Sequence, residues 1–335
     1  MILKQDYIKQ LIILKNMPKR ILVTGSAGFI GFHLSRALLE RGDRVVGIDN
    51  FNDYYDIGLK EDRNKILETH KKYRVYHGDI RNKVPLTKII AKEKIDVICH
   101  LAAQAGVRYS LEHPGEYMQS NIEGTVNIFE AARLNKIKDV IFASSSSVYG
   151  NNPIPWSEDQ EVNKPINPYG ASKRATELLA YSYNHLYGLN MTMLRFFSVY
   201  GPWGRPDMAY FKFADKIVKG EPIDVYNNGK LKRDFTYIDD IIKGIISAID
   251  NPKKYEIYNL GNHKSEKLGY FIKLIEKGLG KKAKKNLLPM QKGDFIENFA
   301  NINKAKKDLD FDPKTTLDVG IAKFIEWYKE YYKID

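Results

Sequence analysis

The chain has 335 residues, 43% of them hydrophobic, a formal net charge of +12 and a single cysteine. That length supports one large core carrying a smaller lobe, while the lone Cys99 excludes an internal disulfide and fits a reducing compartment, the cytoplasm. No apolar run approaches the ~20 residues of a membrane-spanning helix, the lysines are scattered without interleaved aromatics and predict no nucleic-acid partner, and the seven histidines lack paired metal-ligand spacing, so no metal is expected.

Residues 1–17 read as an N-terminal extension whose apolar patch, Leu11 to Leu14, follows Lys4, Asp6 and Lys9 and leads to no cleavage site. From residue 18 onward strands and helices alternate. Ile21-Leu22-Val23 predicts a strand, the glycine-rich turn after it a loop, and Leu34, Leu38 and Leu39 the apolar stripe of a helix. Further strands are expected at Val45 to Ile48, Arg74 to Tyr76, Val97 to Leu101, Val140 to Ala143 and Met191 to Phe196, with amphipathic stretches between them. This is the pattern of an α/β, Rossmann-like, doubly wound parallel sheet over residues 18–200. Gly201-Pro202-Trp203-Gly204-Arg205-Pro206 then reads as a loop into a smaller C-terminal substrate-binding lobe, 201–335, some segments of which return to the first domain. The densest lysine cluster, Lys281 to Lys285, reads as a solvated face.

The loop Gly25-Ser26-Ala27-Gly28-Phe29-Ile30-Gly31 lies between the first strand and the first helix, where its glycines admit a pyrophosphate to the helix N-terminus. Gly25, Gly28, Phe29, Ile30 and Gly31 are therefore candidate cofactor contacts. Asp49 closes the second strand, where a carboxylate accepts the adenosine ribose hydroxyls and repels a 2′-phosphate, which favours NAD over NADP; Asn50 follows it. Asp79 and Ile80, and Leu101, Ala102 and Ala103, stand at the ends of the next two strands, where crevice ligands bind. Asp79 alone reads equally well as a turn cap or an adenine contact, and in combination with the glycine loop it reads better as an adenine contact.

Tyr169 and Lys173 share one face of a helix that Pro168 can start. A lysine ammonium beside a phenol is expected to lower the tyrosine pKa, so that the oxygen can take a proton from a hydroxyl while hydride leaves the adjacent carbon. The polar strand end Ser144-Ser145-Ser146-Ser147 precedes this pair.

Together TGxxGFIG, HLAA, SSSSVYG, YxxxK and RFFSVYGPWGRPDM resemble the extended short-chain dehydrogenase/reductase family, from Arg20 to about Tyr328. Within it the segments Asn50 to Tyr55, Ala103 to Tyr109, Arg205 to Met208, Val225 to Gly229, Arg233 to Tyr237 and Met290 to Asp294 most resemble UDP-glucuronate 4-epimerases. The resemblance implies Tyr169 as acid/base, Lys173 as its electrostatic partner and ribose ligand, Ser145 as the hydroxyl holding the sugar O4, and Tyr226, Arg233 and Asp294 as the holders of the uridine diphosphate. It also implies a homodimer through helices near 121–135 and 169–187. Two departures stand out: Ser198 replaces a usual threonine and keeps a hydroxyl, and Gln291 stands where galactose-type epimerases carry a phosphate-binding arginine.

Such enzymes begin by oxidising C4 of the sugar. Dehydratases of this type need an Asp-Glu pair after the hydroxyl residue, and decarboxylases that make UDP-xylose carry a glutamate beside VYG; here both positions are Ser146 and Ser147. Neutral hydroxyls at Ser146, Ser147 and Ser198 can hold a uronate carboxylate, with Arg205 as a cationic contact. The expected activity is the NAD-dependent interconversion of UDP-glucuronate and UDP-galacturonate. The alternatives are a UDP-glucose or UDP-N-acetylglucosamine 4-epimerase and, from another class, an inactive NAD-sensing binding protein.

Overall fold

The computed structural model describes residues 18–334; the N-terminal extension and its apolar patch lie outside the described residues. Seven parallel strands form the main sheet. In chain order its first half runs β1 (Arg20–Thr24), α1 (Phe29–Arg41), β2 (Arg44–Asp49), α2 (Ile57–Glu68), β3 (Tyr73–His77), α3 (Lys83–Glu93) and β4 (Val97–His100). Two short helices, α4 (Val107–Glu112) and α5 (Pro114–Tyr117), then lead through a π-helical turn, 118–123, into α6 (Gly124–Leu134), β5 (Asp139–Ser145), α7 (Pro168–Tyr187) and β6 (Asn190–Phe196).

The remaining chain alternates between the lobe and the sheet. It contains β7 (Ser198–Tyr200), α8 (Ala209–Lys219), β8 (Pro222–Tyr226), β9 (Lys232–Arg233), β10 (Phe235–Tyr237), α9 (Ile238–Asp250), β11 (Tyr255–Leu260), β12 (Glu266–Lys267), α10 (Leu268–Leu279), β13 (Lys284–Leu288), α11 (Asn303–Leu309) and α12 (Leu317–Tyr332). The sheet order is β11-β6-β5-β4-β1-β2-β3, so the chain reverses direction beside β1, and the crevice of a doubly wound fold opens at the carboxyl ends of β1 and β4. Residues 238–260 return from the lobe: α9 packs on α1 and β11 extends the sheet beside β6.

Alternate residues of each strand feed two separate cores. Ile21, Val23, Val45, Cys99 and Ile141 face one side, and Leu22, Val46, Ile98, Val140 and Phe142 the other. Both faces being covered explains why the strands read as continuous apolar runs rather than alternating ones. Cys99 is fully buried, and burial pushes its thiol pKa far up, so it behaves as a small apolar side chain. The first core continues into the lobe, where Phe235 stacks on Phe271 at 4.2 Å and Phe211, Phe324 and Trp327 join it. The lobe is thereby bonded to the sheet rather than hung from it. No described helix is long and apolar enough to cross a membrane.

Candidate active site

A single cavity of about 870 Å³ runs from the glycine turn to the lobe, and every candidate residue predicted from sequence borders it. Its first end is backbone. Gly25 has φ +71°, a conformation that favours glycine, and a methyl there would lie 2.9 Å from the amide nitrogen of Ala102. A methyl on Gly31 would overlap the Gly25 carbonyl oxygen. Helix α1 starts at Gly28 without a side-chain cap, so its first amides are not filled from within. These glycines, the bare helix start and the cavity beside them fit the diphosphate of NAD.

Asp49 does more than the sequence suggests. Its carboxylate accepts from the amides of Ala27 at 3.0 Å and Phe51 at 2.9 Å, tying the glycine loop to the end of β2. Asp79 accepts from the Arg81 amide and guanidinium and from the Asn50 side-chain amide, so the turn-capping geometry is present; Arg81 holds its carboxyl down at about 2. The Thr24 hydroxyl accepts from the amides of Leu101 and Ala102, fixing the strip of backbone that ends β4.

At the centre, β5 ends at Ser145, whose hydroxyl accepts from the Ser147 amide at 3.1 Å and turns the chain into a 3-10 helix over 146–149. Asn167 caps α7 by accepting from the Gly170 amide at 2.8 Å, with Pro168 in the first turn. A methyl at Gly170 would overlap the Ser147 carbonyl oxygen, so the helix start packs directly on the serine turn. This brings the Tyr169 phenol beside the Ser145 hydroxyl, which favours its ionised form. Lys173, one turn along, donates to the Ala143 carbonyl at 2.8 Å.

The expected electrostatics are corrected here. Burial raises the Tyr169 pKa, and the groups opposing that rise are the Ser145 hydroxyl and the charge of Arg205, not Lys173. Burial instead lowers Lys173 to about 8, against the pull of Glu177. Ser144 lies apart from this chemistry: it donates to Glu177, which a fully buried Arg195 grips through both oxygens at 2.8 and 2.9 Å.

The far end belongs to the lobe. Ser198 opens β7, and Arg205 is held by Asp207 through two bonds of 3.0 and 2.6 Å. Burial opposes the Arg205 charge, yet Asp207 outweighs it and the net pKa moves up. Arg233 pairs with Asp294 at 2.6 Å instead of pointing both donors into the cavity. Tyr226 is covered by the guanidinium of Arg108 at 4.4 Å.

Sequence reasoning missed the residues that hold the Gly201–Asp207 loop in place. Arg63, fully buried on α2, donates to the carbonyls of Ala27, Trp203 and Gly204 and to the Tyr55 hydroxyl, at 2.6 to 2.9 Å. His33 on α1 lies 2.9 Å from the Pro202 carbonyl, which can only accept, so Nε2 carries the proton; burial lowers its pKa to about 3 and the ring is neutral. A lone arginine and a lone histidine on helices carry no motif. Asp207 and Arg108 were inside the quoted family segments, and only their partners were illegible.

Residues 21–261 match the NAD dependent epimerase/dehydratase family. The chain is 54% identical over 315 residues to an uncharacterized protein of Methanocaldococcus jannaschii, covering 93% of this chain and 97% of that one. It is 45% identical to UDP-glucuronate 4-epimerase 4 of Arabidopsis thaliana, covering 94% of this chain and 76% of the relative. Its fold superposes on the crystal structure of UDP-glucuronic acid 4-epimerase from Bacillus cereus in complex with UDP-glucuronic acid and NAD with a TM-score of 0.89, 36% identity, and coverage of 93% of this chain and 100% of that one.

Proposed function

The chain belongs to the NAD dependent epimerase/dehydratase family, and from that premise we propose that it interconverts UDP-glucuronate and UDP-galacturonate by inverting C4. The observation that carries the substrate reading is that Ser146, Ser147 and Ser198, all neutral hydroxyls, border the same cavity as Tyr169 and Ser145. Hydroxyls donate to a uronate carboxylate, whereas a carboxylate side chain there would repel it. The chemistry that NAD supplies when bound is the reversible acceptance of a hydride from C4.

The protein residues then handle a proton and a shape. Tyr169 takes the O4 proton as C4 is oxidised and returns it when the alcohol re-forms, with Ser145 hydrogen-bonded to both the phenol and O4. Lys173, which donates to the Ala143 carbonyl, would also hold the ribose of the cofactor. Gly25, Gly28, Phe29, Ile30 and Gly31 would hold the cofactor diphosphate, Asp49 and Asn50 its ribose, and Asp79 and Ile80 its adenine. Leu101, Ala102 and Ala103 line the strip between the two ligands. Tyr226, Arg233 and Asp294 hold the uridine diphosphate, which lets the 4-keto sugar rotate while its nucleotide stays fixed. Arg205 faces the carboxylate side and, through its charge, favours the phenolate.

The same reading includes a homodimer. Leu134 on α6 and Leu178, Tyr181, Leu186 and Tyr187 on α7 are large apolar side chains left exposed on neighbouring helices. Light scattering after size exclusion is expected to give twice the chain mass, and Leu178→Glu/Leu186→Glu to give the monomer. The reading also includes a cytoplasmic location, checked by cell fractionation. The activity itself is tested by incubating pure enzyme with UDP-glucuronate, UDP-glucose and UDP-N-acetylglucosamine and separating the products. Turnover of the uronate at ~100 times the efficiency of either neutral sugar supports the reading, a difference of about 2.7 kcal/mol that two charged hydrogen bonds supply. Preference for a neutral sugar overturns it.

A further inference from the structure

The cation assigned to the substrate phosphates is already engaged. Arg233 gives Nη2 to Asp294 at 2.6 Å and Nη1 to the carbonyls of Lys232 and Ile296 at 2.8 and 3.3 Å, with its guanidinium over the Phe295 ring. Its charge is offset by Asp294 before any ligand arrives. A sugar-linked nucleoside diphosphate carries two negative charges, and Gln291, bordering the same cavity, supplies none. That leaves phosphate charge for a further cation to balance.

Arg108 borders the cavity with no carboxylate within ion-pair distance among the described residues. Its guanidinium lies 4.4 Å over Tyr226 of the lobe, although its backbone belongs to the first turn of α4, directly after the loop that follows β4. That loop is fixed at both strands of its turn. Asn121 bonds both the amide and the carbonyl of Gln104, at 2.8 and 3.0 Å, and the Tyr117 hydroxyl donates to the carbonyls of Ala105 and Gly106 at 3.0 and 2.6 Å. Gly106 has φ +106°, and a methyl there would lie 2.6 Å from the Tyr54 hydroxyl. Arg108 is close enough to Arg233 to disfavour its charge, the arrangement in which a dianion between them relieves repulsion.

We propose that Arg108 is the second diphosphate-binding residue of this enzyme, reaching across the cavity mouth to grip the phosphates while stacked on Tyr226. The inference rests on the UDP-sugar reading above. Lys292 borders the cavity too, but no aromatic ring fixes it, and it serves as a control.

The test is calorimetric titration of the NAD-loaded protein with UDP and with uridine. Arg108→Ala is expected to weaken UDP at least ~10-fold and uridine less than ~3-fold, as loss of a charge-assisted bond to phosphate requires. Arg108→Lys is expected to fall between, because it keeps the charge and loses the fork. Lys292→Ala is expected to change UDP affinity less than ~3-fold, and in turnover Arg108→Ala should raise KM about tenfold with kcat within ~3-fold. Unchanged UDP affinity in Arg108→Ala, or an equal loss for uridine, overturns the assignment. Failure of the unmodified protein to bind UDP overturns the UDP-sugar reading and this inference with it.

Discussion

Tyr169 is the proposed acid/base, and its surroundings set a sharp expectation. Burial favours the protonated phenol, while Ser145 and Arg205 pull the other way. Tyr169→Phe keeps the ring and is expected to lower turnover by at least ~100-fold with NAD still bound. Steady-state assays together with the cofactor content of the purified variant check this, and near-normal turnover removes Tyr169 from proton transfer. The serines carry a second expectation. The 4-keto uronate is a β-keto acid, and an unrestrained carboxylate leaves as carbon dioxide. Ser146→Ala/Ser198→Ala removes two hydroxyls from the cavity wall, each hydrogen bond to a charged group contributing roughly 1.5–3 kcal/mol. With substrate labelled at C6, this variant is expected to release more carbon dioxide per UDP-galacturonate formed than the unmodified enzyme. An unchanged ratio means that these hydroxyls do not restrain the carboxylate.

At the scale of elements, the site depends on a loop of the lobe being registered against a helix of the cofactor domain. Arg63 provides that register through four hydrogen bonds to three segments, and His33 adds one to Pro202. Arg63→Lys preserves the charge but cannot span three carbonyls, so kcat/KM is expected to drop ~10-fold or more while the cofactor stays bound. Unchanged kcat/KM with normal NAD content would show that the loop holds itself. The strands, the glycine turn and the start of α7 were legible because each follows from local rules: apolar runs, a turn that only glycine fits, a proline in the first helical turn. Arg63, Asn121 and Tyr117 were not, since their partners are backbone carbonyls and amides distant in sequence and leave no spacing to read. The same limit explains Tyr169, whose partner in sequence, Lys173, is not the group that shifts it in space.

For the whole molecule, two buried histidines link stability to pH. His33 and His100 are each held neutral by burial, with pKa values lowered to about 3 from an ordinary 6.5. Between pH 6.5 and 3 the unfolded chain takes up protons there that the folded chain refuses, so stability falls as pH falls through that window. Denaturant unfolding is expected to give a lower midpoint at pH 5 than at pH 7. His100→Asn, which can still bond the threonine hydroxyls around it, Thr24 and Thr125, is expected to flatten that dependence; an equally steep one assigns it to other groups. One of the two cores of the sheet continues into the lobe beside the cavity that holds the candidate site. The central claim is that C4 of a UDP-uronate loses and regains the same hydride inside that cavity. Its most direct test supplies UDP-glucuronate carrying deuterium at C4 to the purified enzyme and examines C4 of the product by mass spectrometry and proton NMR. UDP-galacturonate that retains the deuterium at C4 is the expected result, whereas loss of the label to solvent, or no C4 epimer at all, contradicts the account.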